Sequence, residues 1–113
     1  LLFPSGHAVL SASARKALFN LGGALSKIGN KIGVNGHTDP AATKGGDYTS
    51  NWELSLARAI AVANSLKRSG YTEKITAYGY ADSYFSQLPK MPEKRRLALG
   101  RRVDIVVLPT VGE

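Results

Sequence analysis

Asp39 sits in the run Gly36-His37-Thr38-Asp39-Pro40, and a loop later the chain reads Ser50-Asn51-Trp52-Glu53-Leu54-Ser55-Leu56-Ala57-Arg58. If the second stretch is helical, Asn51, Leu54 and Arg58 are spaced i, i+3 and i+7 and share one face. A carboxylate fixed at a strand end and a guanidinium one to two turns into the next helix make a clamp of opposite charges. Its natural ligand is a zwitterion, with an ammonium on Asp39 and a carboxylate on Arg58, held by charge-assisted and partly bidentate bonds. The helix N-terminus near Asn51 favours the same carboxylate. Taken singly, an Asp before Pro reads as a turn residue and an Arg on a helix as a solvated charge. Only the combination carries the chemistry.

The elements that must position this clamp are legible as periodicities. From Ser11 to Gly29, Ala14, Ala17, Leu18, Leu21, Ala24, Leu25 and Ile28 recur at helical steps, weakened locally by Gly22 and Gly23. Lys31 to Asn35 alternates as a strand, Gly36 to Pro40 turns the chain, and Ala41 to Thr49 is loop, whose Gly45-Gly46 would let it close over a ligand. Ser50-Asn51-Trp52-Glu53 fits a capping box and starts a second helix that ends near Gly70. Its expected core stripe is Trp52, Leu56, Ala59, Ile60, Ala63 and Leu66, with Asn51, Leu54 and Arg58 on a neighbouring face closer to the surface. Lys74 to Tyr80 is a strand, Ala81 to Pro92 irregular and aromatic, Glu93 to Leu99 a short helix, and Val103 to Leu108 a β-branched closing strand. With a strand edge at Leu1-Leu2-Phe3, the order β-α-β-α-β-α-β predicts an α/β two-layer sandwich: a mixed four-stranded sheet with helices on one face.

Composition limits the alternatives. A chain of 113 residues with 43% hydrophobic and 20% charged residues is a single folded domain. No apolar run approaches the ~20 residues of a membrane helix. The apolar start, without Met, reads as a domain excised from a longer, membrane-anchored protein. Cys is absent and the histidines are two, His7 and His37, so no metal or cofactor site is expected. No nucleophile elbow, P-loop or dinucleotide fingerprint is present, and the chain is not expected to be an enzyme. His37 beside Asp39 is an acid/base pair in principle, and a structural histidine bonding the turn in the plainer reading. The net charge of +7 favours an anionic neighbour. Lys94-Arg95-Arg96 and Arg101-Arg102, with Tyr78, Tyr80, Tyr84 and Phe85 as stacking rings, would suit nucleic acid. Without an RNP, KH or helix-turn-helix signature, those groups read instead as a solvated cationic face and a packed sheet edge.

Gly36-His37-Thr38-Asp39, Ser50-Asn51-Trp52-Glu53-Leu54-Ser55-Leu56-Ala57-Arg58-Ala59, Gly79-Tyr80-Ala81-Asp82 and Arg101-Arg102-Val103-Asp104-Ile105 together resemble the OmpA C-terminal, peptidoglycan-binding family over nearly the whole chain. Within it, the Ser-Asn-Trp-Glu-Leu-Ser run and the long loop after Asp39 are most similar to the periplasmic domain of MotB-type motor stator proteins. The resemblance implies that Asp39 and Arg58 hold the zwitterionic end of diaminopimelate in the peptidoglycan stem peptide. Thr38, Asn51 and Leu54 would line the same pocket, with Arg101, Arg102 and His37 as possible support. The sequence departs at Gly100, where the family commonly has Asn.

The function so implied is non-catalytic: a periplasmic wall anchor of a bacterial flagellar motor stator, part of an inner-membrane protein with a MotA-like partner and forming a homodimer. Three alternatives stay open. One is a non-flagellar stator-like system such as Zorya-type phage defence, another an outer-membrane-tethered anchor. The third, from a different class, is a basic nucleic-acid-binding module, which is disfavoured.

Overall fold

The computed structural model describes residues 3–41 and 47–109. Helix α1 (Ala12–Leu25) starts where Ser11 accepts the Ala14 N–H at 3.1 Å. Strand β1 (Ile32–Gly36) follows, then helix α2 (Asn51–Arg68), strand β2 (Ile75–Gly79), a 3-10 turn at Phe85–Gln87, helix α3 (Glu93–Gly100) and strand β3 (Val103–Val107). At the start of α2, Ser50 Oγ accepts the Glu53 N–H at 3.1 Å, an interaction worth about 1 kcal/mol. Glu53 reaches back one residue further than a capping box requires, accepting from the Thr49 hydroxyl and N–H.

The sheet has three strands among the described residues, in the order β2-β1-β3, with β1 parallel to β2 and antiparallel to β3. The expected fourth strand is not formed there. Leu1 and Leu2 lie outside the described residues. Phe3 donates its N–H to the Arg101 carbonyl at 2.8 Å, but Pro4 has no N–H to give and the chain turns through Gly6 at a φ of 75°. Pairing therefore goes no further along the chain than Phe3.

Helix α2 covers one face of the sheet, and α1 packs against α2. Ile32 and Val34 point into this layer and are fully buried with Leu18, Val62, Leu66 and Val103. The face that α2 turns to the sheet differs from the expected stripe. Leu54, Ser55, Arg58, Ala59, Val62, Ala63 and Leu66 are buried, whereas Trp52, Leu56 and Ile60 stand 61%, 40% and 44% exposed.

The reason is how closely the helix sits on the sheet. Gly36 and Gly79 are register partners at one end of β1 and β2. A Cβ on Gly36 would fall on the Ser55 carbonyl oxygen, and one on Gly79 would lie 2.8 Å from Leu56 N and Ser55 Oγ. Only small side chains fit in that gap, so Ser55 and Ala59 face the sheet and the bulky residues are rotated outward.

Gly36→Ala should lower stability by about 1–3 kcal/mol through overpacking. Gly23→Ala, on an exposed helix position with nothing within 4 Å of the new methyl group, should raise it by about 0.5–1 kcal/mol. Thermal unfolding followed by circular dichroism measures both; an unchanged Tm in Gly36→Ala would remove the close-approach argument.

Candidate functional site

Lowering α2 onto the sheet brings Arg58, one turn beyond Ser55, beneath the end of β1. Its side chain is 1% exposed. Nε donates to the His7 carbonyl at 2.9 Å, one terminal nitrogen to the His37 carbonyl at 3.1 Å and the other to the Pro4 carbonyl at 2.8 Å. The Phe3 ring lies 5.3 Å from the guanidinium carbon. A guanidinium carries five N–H donors, so one on each terminal nitrogen remains beyond these bonds. Burial pushes the Arg58 pKa down to about 10, with nearby Asp39 opposing that shift and Arg101 adding to it. The group is cationic at neutral pH. The sequence expectation of a face near the surface is thus corrected for Leu54 and Arg58: both are buried, and Asn51 is half-buried.

Asp39 follows β1 on the chain and is 5% exposed. One carboxylate oxygen accepts the Ala41 N–H at 2.9 Å, fixing the turn through Pro40. The other accepts from Arg101 at 3.0 Å, and Arg101 Nε donates to the Phe3 carbonyl at 2.9 Å. Thr38, Asp39, Asn51, Leu54, Arg58 and Arg101 line one narrow cleft, rimmed by Ser5, Gly6 and Ala41. Thr38 Oγ1 and Asn51 Oδ1 are buried with no hydrogen-bond partner among the described residues. The five residues singled out from the sequence are therefore brought together. The contribution of the Ser5-Gly6 segment and the direct Arg101–Asp39 pair carried no sequence signal beyond the Arg pair itself. Lid closure through Gly45-Gly46 falls outside the described residues.

His37 does not join this cleft. Its ring does not bond the turn; Nε2 lies 3.4 Å from Asp104, Nδ1 is buried without a partner among the described residues, and the ring stacks on Tyr80. Burial lowers its pKa below 6.5, Arg102 lowers it further, and Asp104 opposes both. His37 is neutral at pH 7 and is not an acid/base partner of Asp39.

The sequence model of the OmpA family matches residues 2–98. The chain belongs to the OmpA family. The cell wall anchor of the T6SS from Pseudomonas aeruginosa is 34% identical, with a TM-score of 0.79 over 96% of this chain and 76% of that one. The periplasmic domain of Helicobacter pylori MotB matches at a TM-score of 0.79 and 21% identity, over 93% of this chain and 66% of that one, a likeness of fold. Uncharacterized protein YtxE of Bacillus subtilis is 36% identical over 109 residues, which make up 95% of this chain and 44% of YtxE. The chain spans half or less of the length of the curated relatives it matches.

Within this OmpA-family domain the basic run does not form one cationic face. Lys94 and Arg95 are exposed, but Arg96 covers the Phe85 ring at 4.3 Å, Arg101 pairs with Asp39, and Arg102 Nε lies 3.2 Å from Asp104. Gly100, the departure from the family pattern, has a packing cause. A Cβ there would lie 2.8 Å from the Phe85 ring and 3.1 Å from Asp39 Cα, so a glycine lets the end of α3 close against the turn that carries Asp39. Among the described residues no cluster of His, Asp or Glu is placed to hold a metal ion, and no helix is long and apolar enough to cross a membrane.

The lowered pKa of His37 gives a pH dependence of defined sign. Below about pH 6.5 the unfolded chain takes up a proton that the folded one resists, so stability falls as pH drops through 6.5 toward the folded-state pKa. His37→Gln should flatten the decline in Tm between pH 7.5 and 5; an equal slope in both proteins would reject this assignment.

Proposed function

We propose that this domain is a periplasmic, non-covalent peptidoglycan anchor whose cleft takes the zwitterionic end of diaminopimelate in the stem peptide. The ammonium goes to Asp39 and the carboxylate to the spare N–H groups of Arg58. The observation that carries this reading is the pairing, in one cleft, of a buried cation and a buried anion with two polar atoms, on Thr38 and Asn51, that have no partner among the described residues. Buried polar groups are nearly always satisfied, and here a ligand with both charges and further donors would satisfy them. Leu54 supplies the apolar wall for the ligand's methylene chain.

In the absence of ligand Asp39 is held by Arg101, so an incoming ammonium exchanges one ion pair for another. Charge-assisted bonds contribute about 1.5–3 kcal/mol each, so the two spare N–H groups of Arg58 give roughly 3–6, corresponding to affinity between millimolar and tens of micromolar. A single site of that strength holds poorly. Two or more copies on one polymer gain from effective concentration, which favours a homodimer.

The assembly we assign to the anchor is a MotB-type ion-driven stator, with a MotA-like subunit joined through a membrane segment outside this chain. The likeness to the MotB periplasmic domain supports it. A second reading, the anchor of a secretion machine, is favoured by the higher identity to the T6SS wall anchor. Both use the same cleft, and Asp39→Asn in the native host should separate them by abolishing either motility or secretion.

Sedimentation with purified diaminopimelate-type peptidoglycan tests the cleft directly. Asp39→Asn and Arg58→Lys, both confirmed as folded, should bind about 10- to 100-fold more weakly than the parent, whose pelleting should survive raised salt. Equal pelleting of all three, released by salt alone, would mean general electrostatic attraction and would overturn the proposal.

A further inference from the structure

Helix α2 covers one face of the sheet; the other carries Asn35, Tyr78, Asp104 and Val106 as register neighbours around β1. At the end of that face, Asn35, His37, Tyr80, Tyr84, Arg102 and Asp104 line a second, more open cleft. Tyr80 lies flat on His37, with centroids 5.5 Å apart and planes 16° from parallel. Tyr84 meets both rings edge-on, at 77° to Tyr80 and 79° to His37. Tyr78, 45% exposed, continues the row 6.2 Å from Tyr80. Two aromatic planes at right angles thus form a floor and a wall.

The polar groups beside them are planar and charge-balanced. Arg102 is paired with Asp104, and His37 is neutral at pH 7. A free cation would meet Arg102 and a phosphate would meet Asp104, so the cleft suits an uncharged ligand with one apolar face and many hydroxyl or amide groups. That description fits a pyranose ring. Its C–H face packs on an aromatic plane, and its edge groups bond to amide, carboxylate and guanidinium groups.

The two clefts are built back to back from the same pair of segments. His37 and Arg102 face the aromatic cleft, while their chain neighbours Thr38 and Arg101 face the clamp. Resting on the wall-anchor reading, we infer that the aromatic cleft is a carbohydrate subsite that takes an N-acetylated amino-sugar ring of the glycan strand, separate from the stem-peptide clamp. Tyr80 and Tyr84 provide the stacking surfaces, and Asn35, Arg102 and Asp104 bond the ring's edge.

Peptide-free glycan strands, prepared from the wall by amidase digestion, isolate this site from the clamp. With β-1,4-linked N-acetylglucosamine tetramer as a second probe, NMR titration should shift the amides of Asn35, Tyr80, Tyr84 and Asp104. Tyr84→Ala should weaken binding to both probes at least tenfold, Tyr84→Phe should restore it, and Asp39→Asn should leave it within twofold of the parent. No binding of either probe, or equal binding by Tyr84→Ala, would overturn the inference. So would saturation of the same amides by single-stranded oligothymidylate in preference to the glycans, which would assign the aromatic row to nucleobases. Failure of the clamp is read separately, as intact peptidoglycan that sediments equally with Asp39→Asn and the parent.

Discussion

Burying a guanidinium costs several kcal/mol of lost hydration unless acceptors replace the water, and at Arg58 three backbone carbonyls do so. They belong to Pro4, His7 and His37, which ties the segment before α1 to the end of β1 through a side chain on α2. Neutral carbonyls satisfy N–H groups but leave the charge uncompensated, and Asp39 supplies the opposing field that keeps the pKa from falling further. Asp39 in turn is fixed by Ala41 and Arg101, and Arg101 by Phe3. Fold and cleft therefore share their bonds. The turn at Pro4 to His7 is a wall of the site as much as a connection.

This arrangement depends on the sheet having no side chains at Gly36 and Gly79, where α2 comes closest. A helix at ordinary separation would bury its largest apolar residues, and the sequence pattern of Trp52, Leu56 and Ile60 at i, i+4 and i+8 points to that outcome. The observed helix instead presents Ser55, Ala59 and Ala63. Ser55 Oγ accepts the Ala81 N–H at 2.9 Å, and Ala81 itself adopts a positive φ of 53° to pass beneath the helix. Periodicity reports which residues share a face but not how near that face lies to its neighbour. Separation is set by residues on the other element, so the two glycines of the sheet held the missing information.

Most of the elements were readable because their signals are local: the helical steps after Ser11, the Ser50 cap, the alternation of β1, the β-branched run of β3, the short α3. Convergence of Thr38, Asp39, Asn51, Leu54 and Arg58 was readable too, since a strand end and the next helix start are neighbours in a parallel crossover. What was not readable came from distant parts of the chain. Arg101 meets Asp39 across 62 residues, and His37 turns from the adjacent turn toward Asp104 on β3. Gly100 looked like an erosion of the family pattern, but its missing side chain is space that the Phe85 ring and the Asp39 backbone already occupy.

The placement of the positive charge follows from these contacts. A formal charge of +7 suggests a cationic surface, yet the cations nearest the candidate site are those most firmly neutralised or stacked. Arg101 is held by Asp39, Arg102 by Asp104 and Arg96 by the Phe85 ring, which leaves Lys94 and Arg95 on the solvent side of α3. Long-range attraction to an anionic polymer then comes from scattered surface charges and is screened by salt over roughly 8–10 Å. In the function proposed, recognition falls instead to the buried Asp39 and Arg58, where screening is slight. An ammonium that took the place of Arg101 on Asp39 would leave Arg101 its bond to the Phe3 carbonyl, from which it could return. Such an exchange would keep each contact weak and reversible, as the proposed anchor requires if it gains its hold from many contacts with one polymer.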